Sequence, residues 1–418
     1  MVSDAQRAVH AVFRIEQPRL IAGLTRMVRD VGLAEELAQD ALVVALERWP
    51  ESGVPDNPGA WLMATAKRRA IDELRRRKLV ERKHEAIGYE SESQSDDWQP
   101  EADLDDPFSD DLLRLVFTAC HPVLSTEARV ALTLRLLGGL TTEEIARAFL
   151  LPEPTVAQRI VRAKRTLAEQ KVPFEIPRGP ELSQRLASVL EVVYLIFNEG
   201  YSATSGGDWM RPALCEDALR LGRVLQGLAP EEPEVHGLAA LMEIQASRSS
   251  ARTSPDGTPI LLLEQNRARW DQVLIRRGLS ALSRAEQLGG ADGPYAMQAA
   301  LAACHARART AAETDWQRIA ELYARLLELT PSPVIELNRA VAVSMARGPA
   351  AGLEIVERLT KEPMLQGYHL LPSVRGDLLH KLGRFAEAKR EFERAASLTQ
   401  NERERALLLE RARLAGAS

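Results

Sequence analysis

The stretch from residue 140 to residue 170 constrains the fold of this chain most, because it encodes two short helices and a tight turn between them. Thr141 can cap the first helix, and Glu144 follows at the spacing of a capping box. Pro152 then breaks the helical period and suits the first turn of a second helix. The sequence therefore predicts a helix–turn–helix here.

The second predicted helix has two distinct faces. An apolar stripe recurs at helical spacing, and short polar and basic side chains lie on the opposite side. That polar side suits a DNA major groove, because early residues can reach base edges and later ones can neutralise phosphates. A solvated surface helix is the alternative for this stretch taken alone. The stripe is Val156, Ile160, Ala163 and Leu167, and the candidate DNA-contacting residues are Thr155, Gln158, Arg159, Arg162, Lys164 and Arg165.

The remainder of the 418 residues also favours helices, since Ala, Leu, Arg and Glu dominate and alternating β-branched runs are nearly absent. The predicted fold class is all-α, with more than one domain. The three cysteines match no metal-binding spacing, and we find no catalytic pair or phosphate-binding glycine loop. Neither an enzyme nor a cofactor is predicted. Without a signal peptide or a membrane-spanning run, a cytoplasmic location is expected.

Charge is strongly segregated within the first 83 residues, although the formal net charge of the chain is only −5. A predicted helix at 33–49 has an apolar side and an acidic, polar side, which is either solvated or a docking surface for a partner protein. A loop at 50–59 follows, and a helix at 60–78 then becomes densely basic, which is typical of nucleic-acid contact. The acidic side is formed by Glu35, Glu36, Gln39, Asp40 and Glu47.

Two further segments differ from these in character. Residues 84–111 are predicted to be a flexible acidic linker, because acids accumulate there while apolar residues are scarce. Residues 180–418 are predicted to form successive amphipathic helices. Within them, two sets of residues match tetratricopeptide offsets, which predicts a helical repeat array with surfaces for partners. The sets are Ile319, Tyr323, Leu326 and Pro331, and Gly376, Gly383, Ala388, Phe392 and Ala395.

Three of these segments together resemble the extracytoplasmic-function (ECF) class of bacterial RNA polymerase sigma factors. LAEELAQDALVVALERW (33–49) is similar to their region 2.2, and AWLMATAKRRAIDELRRR (60–77) to their regions 2.3–2.4. Residues 128–167, which contain the helix–turn–helix, are similar to region 4. The FTACHP segment (117–122) and the long tail are similar to a subgroup with a C-terminal helical-repeat extension.

The resemblance implies a domain order and a set of partners. Residues 1–83 would form the region 2 domain, 112–172 the region 4 domain, and 180–418 a tetratricopeptide-like regulatory domain. Core RNA polymerase, through its β′ clamp helices and β flap, and promoter DNA would be the partners. The tail would contact a regulatory protein or the chain's own sigma domains. No membrane partner is expected.

The resemblance also implies roles for individual residues. The recognition helix would read the −35 element through the six residues given above. The implied polymerase-docking residues are Glu36, Gln39, Asp40 and Glu47, and the implied −10 residues are Asp56, Asn57, Trp61, Lys67, Arg68, Asp72, Arg75 and Arg76. Two other interpretations stay open: a helix–turn–helix regulator that acts without polymerase, and a repeat scaffold with an incidental basic N-terminus.

Overall fold

The computed structural model describes residues 4–85, 107–149, 151–202, 210–254 and 258–417. These residues are helical apart from their connecting turns and loops and one isolated β-bridge, between Thr253 and Pro259, which agrees with the predicted all-α class. The chain divides into two compact units, Met1–Val192 and Val193–Ser418. The division falls inside a helix, some way beyond residue 180, where the C-terminal segment was predicted to begin.

The first unit contains the two predicted DNA-binding modules. Its first three helices pack on one another, and the fourth packs on the first. The next three helices form a second bundle that contains the helix–turn–helix. The helices are α1 (Asp4–Val28), α2 (Val31–Ser52), α3 (Pro58–Glu85), α4 (Pro107–Ala119), α5 (Thr126–Leu136), α6 (Thr142–Phe149), α7 (Glu153–Glu169) and the first half of α8 (Pro180–Tyr201).

The predicted loop at 50–59 is shorter in the structure, because α2 continues to Ser52 and α3 begins at Pro58. Gly53 ends α2 with a φ of 80°, a conformation that glycine adopts without steric cost, and its N–H donates to the carbonyl of Trp49. Pro58 suits the first turn of α3 because that position has no intrahelical partner for an N–H. The turn chemistry was therefore predicted correctly, and only its extent was wrong.

The predicted linker at 84–111 also differs from the structure at its ends. Residues 84–85 belong to α3 and residues 107–111 belong to α4, while 86–106 lie outside the described residues. Asp111 is 1% exposed and pairs with Arg26 at 3.3 Å and Arg114 at 2.6 Å. This acid is therefore part of the packed core of the first unit, because two arginines compensate its burial.

The second unit is a serial array in which each helix packs mainly on its neighbours in the sequence. The successive helices predicted for residues 180–418 are therefore present in the described part of this unit. A short 3₁₀ turn (Pro363–Leu365) precedes the helix that begins at Leu370. The helices are α9 (Pro212–Leu228), α10 (Pro233–Ala246), α11 (Gln272–Gln287), α12 (Pro294–Arg307), α13 (Trp316–Leu329), α14 (Pro333–Arg347), α15 (Pro349–Leu359), α16 (Leu370–Lys381), α17 (Phe385–Leu398) and α18 (Glu402–Ala417).

The tetratricopeptide offsets correspond to real packing between α16 and α17. Ala388, Phe392 and Ala395 are all at most 1% exposed. A Cβ atom at Gly376 would lie 2.9 Å from the Phe392 ring, so only glycine allows this close approach of the two helices. The small and large residues at these offsets therefore fit one another across a helix pair, as a repeat requires.

Candidate nucleic-acid interface

The helix–turn–helix forms as the sequence predicts. The backbone N–H of Thr141 donates to Oε2 of Glu144 at 2.7 Å, and the N–H of Glu144 donates to Oγ1 of Thr141 at 3.1 Å. This reciprocal capping box fixes the start of α6. The apolar stripe of α7 is buried at every predicted position, each residue being at most 5% exposed: Val156, Ile160, Ala163 and Leu167.

Burial of that stripe turns the opposite face of α7 toward solvent. Thr155, Gln158, Arg162 and Arg165 are exposed, and Arg159 is half-buried. Arg159 lies near Glu127 of α5. The Glu127 carboxylate accepts hydrogen bonds from its own backbone N–H and from the Ser125 hydroxyl. These hydrogen bonds, together with the charge of Arg159, lower the pKa of Glu127. The first two turns of α7 therefore present short polar groups and one oriented guanidinium, which is suitable chemistry for base edges.

Lys164 has a different position from the other residues of the predicted set. Its ammonium group pairs with the carboxylate of Glu35 on α2, and the Lys164 side chain is only 21% exposed. Arg165 extends into solvent on the same turn and pairs with Glu169 at 2.6 Å. Arg162 is therefore open to a phosphate and Arg165 makes only an exposed ion pair, which is weak, whereas Lys164 pairs with a buried carboxylate.

The basic helix α3 exposes its cations on one side. Lys67 and Arg68 are exposed, and neither makes a hydrogen bond or an ion pair with another described residue. Arg75 lies 3.9 Å from Asp72, and Arg76 lies 3.9 Å from Glu73. Exposed pairs at such distances are weak, so these four cations remain available to an anionic ligand.

The start of α3 is built by two residues that the sequence assigned to the −10 element. Oδ1 of Asn57 accepts a hydrogen bond from the N–H of Ala60 at 3.0 Å, which caps the helix. Trp61 packs edge-on against Trp49 of α2, with 5.3 Å between the ring centroids. Asp56 is exposed beside them. Asn57 and Trp61 thus shape the loop in addition to any contact that they make with a ligand.

The acidic face of α2 is smaller than predicted. Glu36, Asp40 and Glu47 are exposed, and Gln39 is half-buried. Val43 lies among them with 51% of its surface exposed, so the face is not purely polar. Asp40 accepts a hydrogen bond from Arg69 of α3 at 2.5 Å. Glu35 was assigned to this face from its neighbours in the sequence, and that assignment is wrong because the residue is 3% exposed.

Glu35 instead lies where the two DNA-binding modules meet. Its carboxylate accepts a hydrogen bond from Nε of Arg135 on α5 at 2.6 Å, and Lys164 of α7 pairs with its second oxygen. Gln17 of α1 donates to the carbonyl of Arg135 at 3.2 Å. The region 2 and region 4 modules are therefore packed together in this structure. No local pattern predicts this contact, because its partners are 100 and 118 residues apart along the chain.

The first half of α8 packs on the region 4 module rather than on the repeat array. Arg185 donates to the carbonyl of Phe117 at 2.8 Å, and the Ser188 hydroxyl donates to the carbonyl of Cys120 at 2.7 Å. Arg129 of α5 pairs with Glu191 at 3.1 Å. The C-terminal segment thus begins with a helix whose first three turns belong structurally to region 4.

The comparisons with known proteins agree with this arrangement. Residues 12–80 match the family model of Sigma-70 region 2, and residues 114–167 match that of Sigma-70, region 4. Residues 185–286 match a family of unknown function, DUF6596. "Uncharacterized protein R00370" of Rhizobium meliloti (strain 1021) is 42% identical over 94% of this chain and 92% of its own length.

The sigma-like part also matches proteins with an assigned role. "ECF RNA polymerase sigma factor SigK" of Mycobacterium tuberculosis (strain CDC 1551 / Oshkosh) is 29% identical over 40% of this chain and 87% of its own length. The protein of that name in Mycobacterium sp. (strain KMS) is 27% identical over 37% of this chain and 77% of its own length.

This chain belongs to the ECF sigma factors. As in other members of the family, its work is to direct promoter-specific transcription, with core RNA polymerase and promoter DNA as partners, and it is not an enzyme. The match to region 2 decides against a regulator that acts without polymerase. None of the described helices of this sigma factor combines the length and hydropathy that crossing a bilayer requires.

Proposed function

We propose that α7 of this sigma factor reads the −35 element. The exposed face opposite the buried stripe carries this proposal, because it presents Thr155, Gln158 and Arg159 on successive turns of one helix. An arginine can bond the O6 and N7 acceptors of guanine together, while threonine and glutamine can bond other base edges. The polar side of a helix that begins at a tight turn can enter a major groove with these residues foremost.

Phosphate contacts would follow further along α7. Arg162 and Arg165 are exposed for this role, and neither supplies sequence information. Lys164 could join them only after its ion pair with Glu35 opens. Phosphate binding by α7 is therefore expected to rest first on the two arginines.

The decisive experiment is transcription by core polymerase from a library of promoters that vary in the −35 element. Arg159→Ala should cost about 1–3 kcal/mol of promoter binding and relax the preference at one position, provided that the arginine bonds a guanine. Arg162→Ala is the matched control from the same helix face, and it should weaken binding equally on all sequences. An equal loss on all sequences for Arg159→Ala would reduce that residue to a phosphate contact. Failure of the intact protein to select any start site would overturn the proposal.

We further propose that α3 and the loop before it hold the separated −10 strands. Lys67, Arg68, Arg75 and Arg76 supply positive charge along one side of the helix, which suits a single-stranded backbone. Asp56, Asn57 and Trp61 form the adjacent loop and helix start, and Asp72 lies among the cations. A base flipped into such a loop costs a few kcal/mol of unstacking, which contacts in the loop must offset.

The exposed face of α2 is our candidate for docking on the β′ clamp helices, with the β flap as the expected contact of region 4. Glu36, Gln39, Asp40 and Glu47 supply polar and acidic groups, and Val43 adds an exposed apolar side chain in their midst. A rim of charges around an apolar centre is the usual composition of a protein interface. A cytoplasmic location follows from this role.

We propose that the C-terminal array regulates the sigma domains, with functional boundaries at 1–83, 84–111, 112–172 and 180–418. Arg185 and Ser188 form hydrogen bonds to the region 4 segment, so a truncation that tests the array must keep both residues. Deleting 193–418 keeps both residues on region 4, whereas deleting 180–418 removes them and should damage region 4 itself. Transcription by the 1–192 variant is the informative measurement: a gain indicates inhibition by the array, a loss indicates a required role, and no change would refute regulation.

A further inference from the structure

Three arginines lie close together in the second unit, between the end of α10 and the start of α11. Arg252 and Arg267 are each 8% exposed, and Arg248 is half-buried. The guanidinium groups of the three arginines lie over two aromatic rings. The guanidinium carbon of Arg252 is 3.6 Å from the centroid of the Tyr201 ring, and that of Arg267 is 5.0 Å from the centroid of Trp270. Arg248 lies 5.7 Å and 5.9 Å from the centroids of the same two rings.

In this arginine cluster (Arg248, Arg252 and Arg267), two of the guanidinium groups donate hydrogen bonds to uncharged oxygens. Arg267 donates to the carbonyls of residues 305 and 308 and to the hydroxyl of residue 314, at 2.7–2.9 Å. Arg252 donates to the carbonyl of Tyr201 at 2.6 Å. The side chain of Arg248 makes neither a hydrogen bond nor an ion pair within the described chain. The positive charge of Arg248 thus has no direct counter-charge in the described part of the protein.

The ionisation of neighbouring groups reflects this excess of positive charge. Burial, followed by the charges of Arg248 and Arg267, lowers the pKa of His305 to about 3. Burial and then Arg248 also lower the pKa of Arg267, which Glu313 opposes only in part. Burial and Tyr194 raise the pKa of Tyr323 to about 12, against the opposing effect of Arg248. His305 and Tyr323 are therefore neutral near pH 7, so neither of them adds charge beside the cluster.

Unsatisfied nitrogen atoms accumulate at the same place. Nε of Arg248, Nε of Arg267, Nε1 of Trp270 and Nδ1 of His305 are buried and have no hydrogen-bond partner in the described chain. An unsatisfied buried donor costs about 1–3 kcal/mol, so several of them in one cluster indicate a missing acceptor. An anion would bond such donors and compensate the guanidinium charge as well.

We propose that the arginine cluster, with Trp270 and His305, is a binding site for a small-molecule oxyanion, either a phosphate or a carboxylate group. The burial of the donor atoms favours a small ligand, because a nucleic-acid strand or a folded partner could not reach them. Guanidinium groups bond both kinds of oxyanion, so the structure fixes the shared chemistry. The site lies wholly in the second unit and does not depend on the contacts proposed for promoter DNA.

The test is calorimetric titration of the full-length protein with sodium phosphate and, separately, with sodium acetate, against sodium chloride at equal ionic strength. We expect saturable binding of at least one oxyanion and a rise in melting temperature that saturates with it. Binding of phosphate alone identifies a phosphate-bearing ligand, and binding of acetate alone identifies a carboxylate. Absence of saturable binding by both anions would overturn the proposal.

Arg248→Gln should weaken anion binding at least tenfold, because it removes a guanidinium that makes no hydrogen bond or ion pair with the described residues. Arg276→Gln, at an exposed position of α11, is the matched control and should bind as the unaltered protein does. In chloride, Arg248→Gln should melt no lower than the unaltered protein, since it relieves repulsion and breaks no hydrogen bond. Unchanged affinity, or a large loss of melting temperature in chloride, would each contradict the proposed role of Arg248.

Discussion

Two groups of buried charges in this sigma factor differ in one respect that decides their roles. In the first unit, Glu35 is 3% exposed and meets two cations, Arg135 and Lys164. In the second unit, three arginines share one cluster, and one of them, Arg248, pairs with no acid among the described residues. Burial of charge is costly unless a partner compensates it. The charges of the first group therefore compensate one another and stabilise packing, whereas the positive charge of the second group would be compensated by a bound anion.

The contrast does not come from a general shortage of acids in the repeat array. Glu243 of α10 is 4% exposed, lies 2.8 Å from Nε of Arg223 and is 3.7 Å from Nε of Arg277. This arrangement resembles that of Glu35, and it lies on the same helix that leads to Arg248. The second unit thus compensates its buried Glu243 with two arginines. The uncompensated positive charge around Arg248 therefore differs from the charge pairing of a purely structural site in the same unit.

The largest effect is expected from breaking the compensated group at its centre. Glu35→Gln would leave Arg135 and Lys164 facing each other without their shared acid, and it should cost about 3 kcal/mol. Hydrogen exchange in peptides from α2 and α7 should then be about a hundredfold faster. Glu36→Gln, one position along and exposed, is the control and should not change exchange. Equal exchange in both variants would show that Glu35 does not hold the two modules together.

A smaller effect is expected from protonation near the arginine cluster. The pKa of His305 is about 3 in the folded protein, whereas an unfolded histidine titrates near 6.5. Because the unfolded state takes up the proton first, the stabilisation that depends on neutral His305 is present above pH 6.5 and is lost as the pH falls toward 3. Between pH 7 and pH 5 this loss should be about 2 kcal/mol.

Urea unfolding at both pH values measures this loss. His305→Gln should remove about that much of the pH dependence, whereas the control His380→Gln, at an exposed position, should leave it unchanged. If the pH dependence stayed the same in His305→Gln, the uncompensated positive charge around this histidine would be in doubt.

The smallest of the three effects concerns the individual cations beside Glu35. Lys164→Met leaves Arg135 to compensate the carboxylate and keeps most of the apolar volume, so it should cost only about 1 kcal/mol. Hydrogen exchange of α7 in the full-length protein provides the measurement, with the exposed Arg162→Met as control. A loss as large as that from Glu35→Gln would mean that Arg135 alone cannot satisfy the acid.

Sequence and structure agree best where local rules suffice. The capping box of Thr141 and Glu144, the buried stripe of α7 and the close helix approach at Gly376 all depend on residues within one or two turns or one repeat. Spacing therefore specifies them. The exposed face of α7 that we propose for DNA contact followed from the same rules, because burial of one helix face determines which residues are exposed on the other. The family resemblance rested on these local patterns, and the family comparisons confirm it.

Charge pairing over long distances could not be predicted in this way. Local patterns were enough to predict the helices, their inner and outer faces and the order of the modules, since each is set by neighbouring residues. Three-dimensional packing was needed to show that Glu35 turns inward to meet Arg135 and Lys164, that Asp111 belongs to the core and not to the predicted linker, and that Arg248 joins two other arginines. Such contacts join residues that are far apart along the chain, and their energies depend on burial, which the order of amino acids does not specify.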